Sequence, residues 1–342
     1  MNKIVFLPML LCALSLGACA TKGEAHPIED YMSELQFHEG FDILQFSDLH
    51  LSSQRNLEED YNYLTGLVQK FKENNGGKDA DLIVFTGDLF TFASKLTIEK
   101  TFETFDSWGI PWTLTFGNHD EQLFADFEFA AYTASKYPNC VFNYLHDDMT
   151  GLTNSIIRLY DPSNKSISKF LIYCMDSNTY SYIGGIGYDY VHEDQVKWYK
   201  EGITKVSEKN NEGVWNVGDE AKTVKSIVFQ HIPVPEVKDA TENGVLLDGH
   251  NNESNSPSKL NDGFFDAIKE YKSTKAIVVG HDHINTSDYL YQNVRFIYGI
   301  KSTDNIYHDD DGMGYRSFKI YSDGSFSTET HFYNYKLEEV RL

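Results

Sequence analysis

The sequence predicts an α/β fold, because short apolar runs alternate with amphipathic segments along most of the chain. Three strands, expected at 41–46, 82–85 and 112–116, are each followed by an amphipathic segment. Such successive units require parallel strands joined by right-handed crossovers. The pattern continues less regularly and turns to alternating, hairpin-like strands after Val294. With neither an internal repeat nor an interdomain linker in the sequence, residues 36–342 are expected to form one domain.

The helices are predicted from apolar residues spaced three and four apart. The first is expected to begin after Asn56, a residue type that caps helices well, and to bury Tyr61, Leu64, Leu67, Val68 and Phe71. The second carries Ile98, Phe102, Phe105 and Trp108; the others are expected at about 121–135, 194–206 and 262–271. The remaining strands are expected at 155–159, 170–175, 227–229, 276–279, 295–298, 315–321 and 325–333. Residues 236–260, rich in Asn, Ser and Gly, are expected to form a surface loop or lid.

Composition excludes several classes of protein. The 342 residues carry 51 Asp and Glu against 29 Lys and Arg, a net charge of −22. An extended surface that neutralises nucleic-acid phosphates is therefore not expected. An acidic protein that binds phosphate must obtain its positive field from something other than surface cations.

The N-terminus resembles an export signal. Lys3 precedes an apolar run from Ile4 to Leu16 that is too short to span a bilayer, and Leu16-Gly17-Ala18-Cys19 resembles a bacterial lipobox. We expect residues 1–18 to be a signal peptide, Cys19 to be lipidated, and 19–35 to be a flexible tether at the cell envelope, outside the cytoplasm. Ordinary cleavage after the small Ala18-Cys19-Ala20 stretch would instead give a freely secreted protein.

Two cysteines remain for the folded domain, Cys140 and Cys174. Both lie in apolar, strand-like contexts, which favours buried free thiols. Export would also permit a disulfide between them, so the sequence leaves both states open.

Polar residues that bind metals follow five of the predicted strands. Open α/β sheets bind ligands at the carboxyl ends of their strands, and residues two apart in an extended segment share one side. Glycines precede three of the motifs and suit a close approach of backbone to a ligand. We expect the five strand ends to form one site, which comprises Asp48-Leu49-His50, Gly87-Asp88, Gly117-Asn118-His119-Asp120, His231 and Gly280-His281-Asp282-His283.

This ordered set of motifs resembles the calcineurin-like metallophosphoesterase superfamily. The resemblance implies a four-layer α-β-β-α sandwich with two mixed sheets. It also implies two metal ions, Mn, Fe or Zn, divalent or trivalent, one held by Asp48, His50 and His283 and the other by Asn118, His231 and His281, with Asp88 bridging them. Gly280-His281-Asp282-His283 and Asp176-Ser177-Asn178 resemble the purple-acid-phosphatase-like branch. Thr91, however, stands where that branch has its iron-binding tyrosine.

The resemblance implies hydrolysis of phosphomonoesters or phosphodiesters by a hydroxide that bridges the two metals. His119, which is not among the ligands, is the candidate for protonating the leaving group. Asp120 could orient His119 or cap the following helix, and the sequence leaves both roles open. The alternative function is a non-catalytic surface lipoprotein that binds phosphorylated ligands on the same fold.

The sequence indicates the residues that contact the substrate less specifically than it indicates the metal ligands. Tyr180 and Tyr182 lie in a glycine-rich loop that could form a wall of the pocket, and packing explains them equally well. His250 lies in the predicted lid, and Arg316 is the arginine considered for phosphate. The expected partners are a small phosphoester and, through the lipid, a membrane.

Overall fold

The computed structural model describes residues 26–145, 149–309 and 312–340. These residues form two mixed β-sheets with helices on their outer faces. The strands are β1 (Met32–Gln36), β2 (Phe41–Phe46), β3 (Leu82–Thr86), β4 (Trp112–Thr115), β5 (Ser155–Asp161), β6 (Asn164–Cys174), β7 (Lys225–Phe229), β8 (Val245–Asp248), β9 (Thr274–Val279), β10 (Asp288–Tyr291), β11 (Val294–Tyr298), β12 (Met313–Ile320) and β13 (Phe326–Tyr333). The helices are α1 (Leu57–Asn74), α2 (Lys95–Ser107), α3 (Phe127–Ala134), α4 (Glu193–Asn210), α5 (Val237–Asn243) and α6 (Phe264–Tyr271).

The two sheets differ in size. One has the strand order β13-β12-β2-β3-β4 and the other β1-β5-β6-β7-β9-β11-β10-β8. The pairs β2·β3 and β3·β4 are parallel, as are β6·β7, β7·β9 and β9·β11. The carboxyl ends of the ligand-bearing strands therefore meet at one edge of each sheet.

Three apolar layers hold the four-layer sandwich together. Phe41, Ile43 and Phe318 of the smaller sheet pack against Ile172 and Ile297 of the larger sheet. Helices α1–α3 cover the outer face of the smaller sheet, and α4 and α6 cover that of the larger sheet. The predicted α-β-β-α class is confirmed.

The predicted third helix begins later than expected, at Phe127 rather than near residue 121. The Asp126 side chain accepts a hydrogen bond from the backbone N–H of Glu128 and caps the helix there. The preceding residues form turns, in which the Gln122 N–H donates to the His119 carbonyl.

Two segments expected to be irregular are ordered elements. Residues 236–260 contain α5 and β8, and β8 pairs with β10, a strand that the sequence analysis missed. The expected tether reaches into the fold, because β1 lies parallel to β5 with Met32 opposite Ile156. The buried side chains of Ile28 and Tyr31 anchor this segment, and the Tyr31 ring lies edge-on to Trp198 at 5.7 Å.

Cys140 and Cys174 are free thiols. The sequence had left a disulfide between them open as the other state. Among the helices of the described residues, none is both long enough and apolar enough to cross a membrane. The predicted signal peptide and Cys19 lie outside the described residues.

Candidate metal centre

The loops that follow β2, β3, β4, β7 and β9 converge at one end of the sandwich. Six of the seven predicted ligands form two groups whose ligand atoms lie within 4.8 Å of one another. One group contains Asp48, His50, Asp88 and His283, and the other contains Asp88, His231 and His281. Asp88 belongs to both groups, which is the position that a bridging carboxylate requires.

Specific distances show how closely these atoms approach. His231 Nε2 lies 3.2 Å from Asp88 Oδ2, and His283 Nε2 lies 3.5 Å from Asp48 Oδ1. The Nε2 atoms of His50 and His283 are 3.0 Å apart. The seventh predicted ligand, Asn118, is buried on the loop beside Asp88, where the neighbouring His119 N–H donates to Asp88 Oδ1 at 2.7 Å.

Two of these atoms, Asn118 Oδ1 and His281 Nε2, are buried without a hydrogen-bond partner. Asp88 Oδ2 and His231 Nε2, also buried, face each other at 3.2 Å. Leaving buried polar atoms unpaired is costly, and each of these atoms is a good donor to a divalent ion. The residues present therefore fit a pair of bound metal ions.

The backbone at the site adopts conformations that non-glycine residues rarely take. Asp48, His50, Asp88 and His281 have φ values of +55°, +46°, +50° and +78°. Such conformations cost free energy, are held by surrounding contacts, and cluster at functional sites. Here the His50 N–H donates to the Asp88 carbonyl, so the loops after β2 and β3 support each other.

The glycines before the motifs allow the loops to pack this closely. A Cβ at Gly117 would lie 2.4 Å from Asp88 Oδ1 and 2.5 Å from His231 Cδ2. At Gly280 it would lie 2.1 Å from Ser47 Oγ and 2.6 Å from Asp48 Oδ2. Larger residues at these positions would displace the ligands themselves.

The second ring nitrogen of three ligand histidines has a partner that fixes the ring. His231 Nδ1 donates to the Thr86 carbonyl at 2.8 Å, and His283 Nδ1 donates to the Tyr307 carbonyl at 3.1 Å. His50 Nδ1 lies 2.9 Å from Thr91 Oγ1. Such outer partners orient metal-binding imidazoles. Thr91, at the position of the missing tyrosine, therefore orients a ligand.

The electrostatics of the cluster favour charged carboxylates beside imidazoles. Burial opposes the charge of Asp88, but His231 and His50 outweigh burial and hold the pKa of this carboxyl well below its usual range. Burial likewise opposes the charge of His231, and Asp88 more than compensates, which raises the pKa of His231 to about 10. Burial lowers the pKa of His281 to about 3, so its ring stays neutral and retains a lone pair for a metal.

A buried lysine that the sequence analysis missed lies beneath the site. Lys301 Nζ donates to the Asp48 carbonyl at 2.6 Å, and burial lowers the pKa of this lysine to about 8. Thr303 Oγ1 and Asn305 Nδ2 both donate to the Leu49 carbonyl. Residues 301–305 thus hold the first ligand loop, but no local pattern distinguishes Lys301 from a surface lysine.

His119 lies beside the ligands without belonging to either group. Its ring is edge-on to His50 at 5.0 Å, and its Nδ1 lies 3.0 Å from Gln122 Oε1. The sequence analysis missed Gln122, which orients the ring.

Both roles considered for Asp120 differ from what the structure shows. Its Oδ1 accepts from the Phe90 N–H and its Oδ2 from the Gly117 N–H, each at 2.8 Å. Fully buried, Asp120 joins the loops after β3 and β4 through these two bonds, and the cap of α3 is Asp126. Burial and the nearby Asp88 raise the pKa of this carboxyl well above its usual range.

The four candidate substrate residues lie in different surroundings. Asn118 Nδ2 donates to Tyr180 Oη at 2.9 Å, so Tyr180 is at the site, whereas Tyr182 is 96% exposed at the end of its loop. His250 Nε2 lies 3.0 Å from Asp309 Oδ2. Arg316 is fully buried in β12 and donates to the Thr286 carbonyl, so it is not available to a phosphate group.

Seven buried Asp, Asn and His side chains at converging strand ends define a candidate dinuclear metal centre on an α/β sandwich. A family model described as calcineurin-like phosphoesterase matches residues 41–285, more than half of the chain. The protein therefore belongs to the calcineurin-like phosphoesterase family.

Curated relatives share this family likeness over much of the chain. A protein named probable inactive purple acid phosphatase 14, from Arabidopsis thaliana, is 27% identical over 72% of this chain and 66% of its own length. The phosphatase DCR2 of Saccharomyces cerevisiae is 28% identical over 60% of this chain and 36% of its own length. The chain thus spans about two thirds of the first protein and about one third of the second.

A solved structure also resembles the chain. The crystal structure of a dimetal phosphatase from Danio rerio is 11% identical, with a TM-score of 0.48, and the match covers 86% of this chain and 99% of that one.

Proposed function

We propose that this protein is an exported, metal-dependent phosphoesterase that hydrolyses phosphomonoesters or phosphodiesters at a dinuclear centre. The observation that carries this proposal is the complete set of buried candidate ligands, two of which, Asn118 and His281, have a polar atom without a hydrogen-bond partner. A protein that has kept only the fold has no need to retain such costly groups.

The ligand assignment follows the two groups of side chains. Asp48, His50 and His283 would hold one ion, Asn118, His231 and His281 the other, and Asp88 both. These oxygen and imidazole donors suit Mn, Fe or Zn. When bound, two such ions supply activated water and neutralise charge on the phosphoryl group.

The chain itself supplies the proton for the leaving group. His119 is only partly buried and lies beside His50, and Gln122 fixes its Nδ1 side. Its Nε2 is therefore the nitrogen positioned to donate a proton to the departing oxygen.

A second candidate function is binding of phosphorylated ligands without hydrolysis. The names of several relatives include the words probable inactive. Those words describe the relatives, and the complete ligand set of this chain favours catalysis.

Activity assays decide between the two functions. The purified protein is stripped of metal, reloaded separately with Mn, Fe and Zn, and assayed on a phosphomonoester and a phosphodiester of the same alcohol. We expect metal-dependent turnover with at least one ester. Phosphate binding without turnover under every metal would favour the binding function.

We further propose that lipidated Cys19 holds the enzyme at the cell envelope, facing outside the cytoplasm. The lipobox-like sequence before Cys19 supports this location. Lipid attachment needs the thiol, so Cys19→Ser is expected to abolish labelling by a fatty-acid analogue while the domain still folds. Equal labelling of both proteins, or of neither, contradicts the anchor.

A further inference from the structure

Aromatic side chains stand on the loops that carry the metal ligands, and several are exposed. We define the aromatic rim as Phe92, Phe124, Tyr180, Tyr188 and Tyr307. Exposed apolar clusters on a soluble protein are characteristic of binding sites. Tyr180, Tyr188 and Tyr307 contact candidate ligands, and Phe92 and Phe124 stack on each other.

Two tyrosines lie on the side of the second ligand group. The Tyr188 ring meets the His281 ring edge-on at 4.3 Å, and Tyr180 stacks on Tyr188 at 5.6 Å. Asn118 donates to the Tyr180 hydroxyl, so this pair of rings is fixed to two ligands.

The third tyrosine lies beside the first ligand group. The Tyr307 ring is 4.4 Å from the His283 ring, and its backbone carbonyl accepts from His283 Nδ1. The side chain is nevertheless 48% exposed, which leaves part of its ring free to contact a ligand.

Phe92 and Phe124 form a stacked pair with ring centroids 6.0 Å apart. They are 45% and 65% exposed, large fractions for phenylalanine. Phe92 follows Thr91, the partner of His50, and its N–H donates to the carbonyl of Gln122, which holds His119. The pair therefore belongs to the loops that place the candidate proton donor.

Both a carboxylate and cations lie near the rim. Glu253 accepts from the Tyr307 hydroxyl at 3.0 Å. Arg55 pairs with Asp304 at 3.1 Å, and Lys259 donates to the Gly185 carbonyl. The charge around the rim is therefore mixed, and the aromatic rings are its distinguishing feature.

We propose that the site takes phosphate esters whose alcohol part carries an aromatic ring. This inference rests on the proposed phosphoesterase function and adds the substrate class. Metal ions held by the candidate ligands would bind the phosphoryl group, and the rim would stack on the aromatic part. Aromatic contacts beyond simple burial contribute enough to be measured in rate and affinity.

The test compares esters whose leaving groups are similarly acidic but differ in aromatic area. For 2-naphthyl phosphate against phenyl phosphate, we expect kcat/KM to be roughly 3- to 10-fold higher. The double variant Phe92→Ala/Phe124→Ala should lose most of this preference. Tyr132→Ala is the matched control, because Tyr132 is 50% exposed on α3 and its ring lies under Lys136.

Binding provides a second readout that does not depend on turnover. Calorimetry with naphthylphosphonate and methylphosphonate should show tighter binding of the aromatic compound by the wild type and Tyr132→Ala, and a smaller difference in the double variant. If this pattern appears while no ester is hydrolysed, the phosphoesterase proposal fails and the rim proposal stands.

Two results would overturn the rim proposal and leave the phosphoesterase function intact. They are equal kcat/KM for both esters and an aromatic preference unchanged in the double variant.

Discussion

The two sheets contribute different chemistry to the metal centre. The five-stranded sheet supplies Asp48, His50, Asp88 and Asn118, which include both carboxylates and the amide. The eight-stranded sheet supplies only imidazoles. Three of the four ligands with positive φ also come from the smaller sheet, so it carries most of the negative charge and most of the backbone strain.

The two sheets also differ in the groups that hold the second ring nitrogen of their histidines. Backbone carbonyls fix His231 and His283 from the larger sheet, whereas a side-chain hydroxyl fixes His50 from the smaller sheet. A backbone carbonyl cannot be removed by substitution, but Thr91 can. Substitution can therefore remove the partner of His50 in the smaller sheet while the His50 ligand itself is kept.

The largest effect is expected from Asp88→Ala. Asp88 belongs to both ligand groups, so its loss should lower binding at both metal positions and abolish hydrolysis. Elemental analysis measures the bound metal, and a turnover assay measures hydrolysis. Asp42→Ala is the control, because Asp42 lies at the opposite end of the same sheet and pairs with Lys319 at 2.6 Å. Unchanged metal content in the Asp88 variant would contradict the assignment.

A smaller effect is expected from His119→Ala. Turnover should fall roughly 10²- to 10⁴-fold, the range for general acid–base catalysis, while metal content stays near that of the wild type. The loss should shrink for esters with good leaving groups, since these need no proton. Loss of metal together with activity would show instead that His119 is a ligand.

The smallest of the three effects is expected from Thr91→Val, which removes the hydroxyl beside His50 Nδ1 at nearly constant volume. Loss of such an outer partner typically weakens metal affinity about 10- to 100-fold. Competition with a chelator measures the affinity, and Thr91→Ser should restore it. Equal affinity in the wild type and Thr91→Val would show that the His50 ring is held in another way.

Local patterns predicted most elements because apolar periodicity records which face of a segment is buried. The strand at Phe41–Phe46 agrees with the structure, and the helix after Asn56 begins where it was expected. The same reasoning failed for β1 and α5. Polar composition suggested irregular structure, but the pairing of β1 with β5 and the packing of α5 depend on distant residues.

The sequence by itself determined which polar residue types follow the strands and in what order, because both are local features of strands, glycines and polar residues. Only the tertiary structure decided what surrounds them. Lys301 beneath Asp48, Gln122 on His119 and the two backbone partners of Asp120 come from loops brought together by folding. The same is true of the burial of Arg316. Contacts between distant segments leave no periodic signal in the chain, so no local pattern could have revealed them.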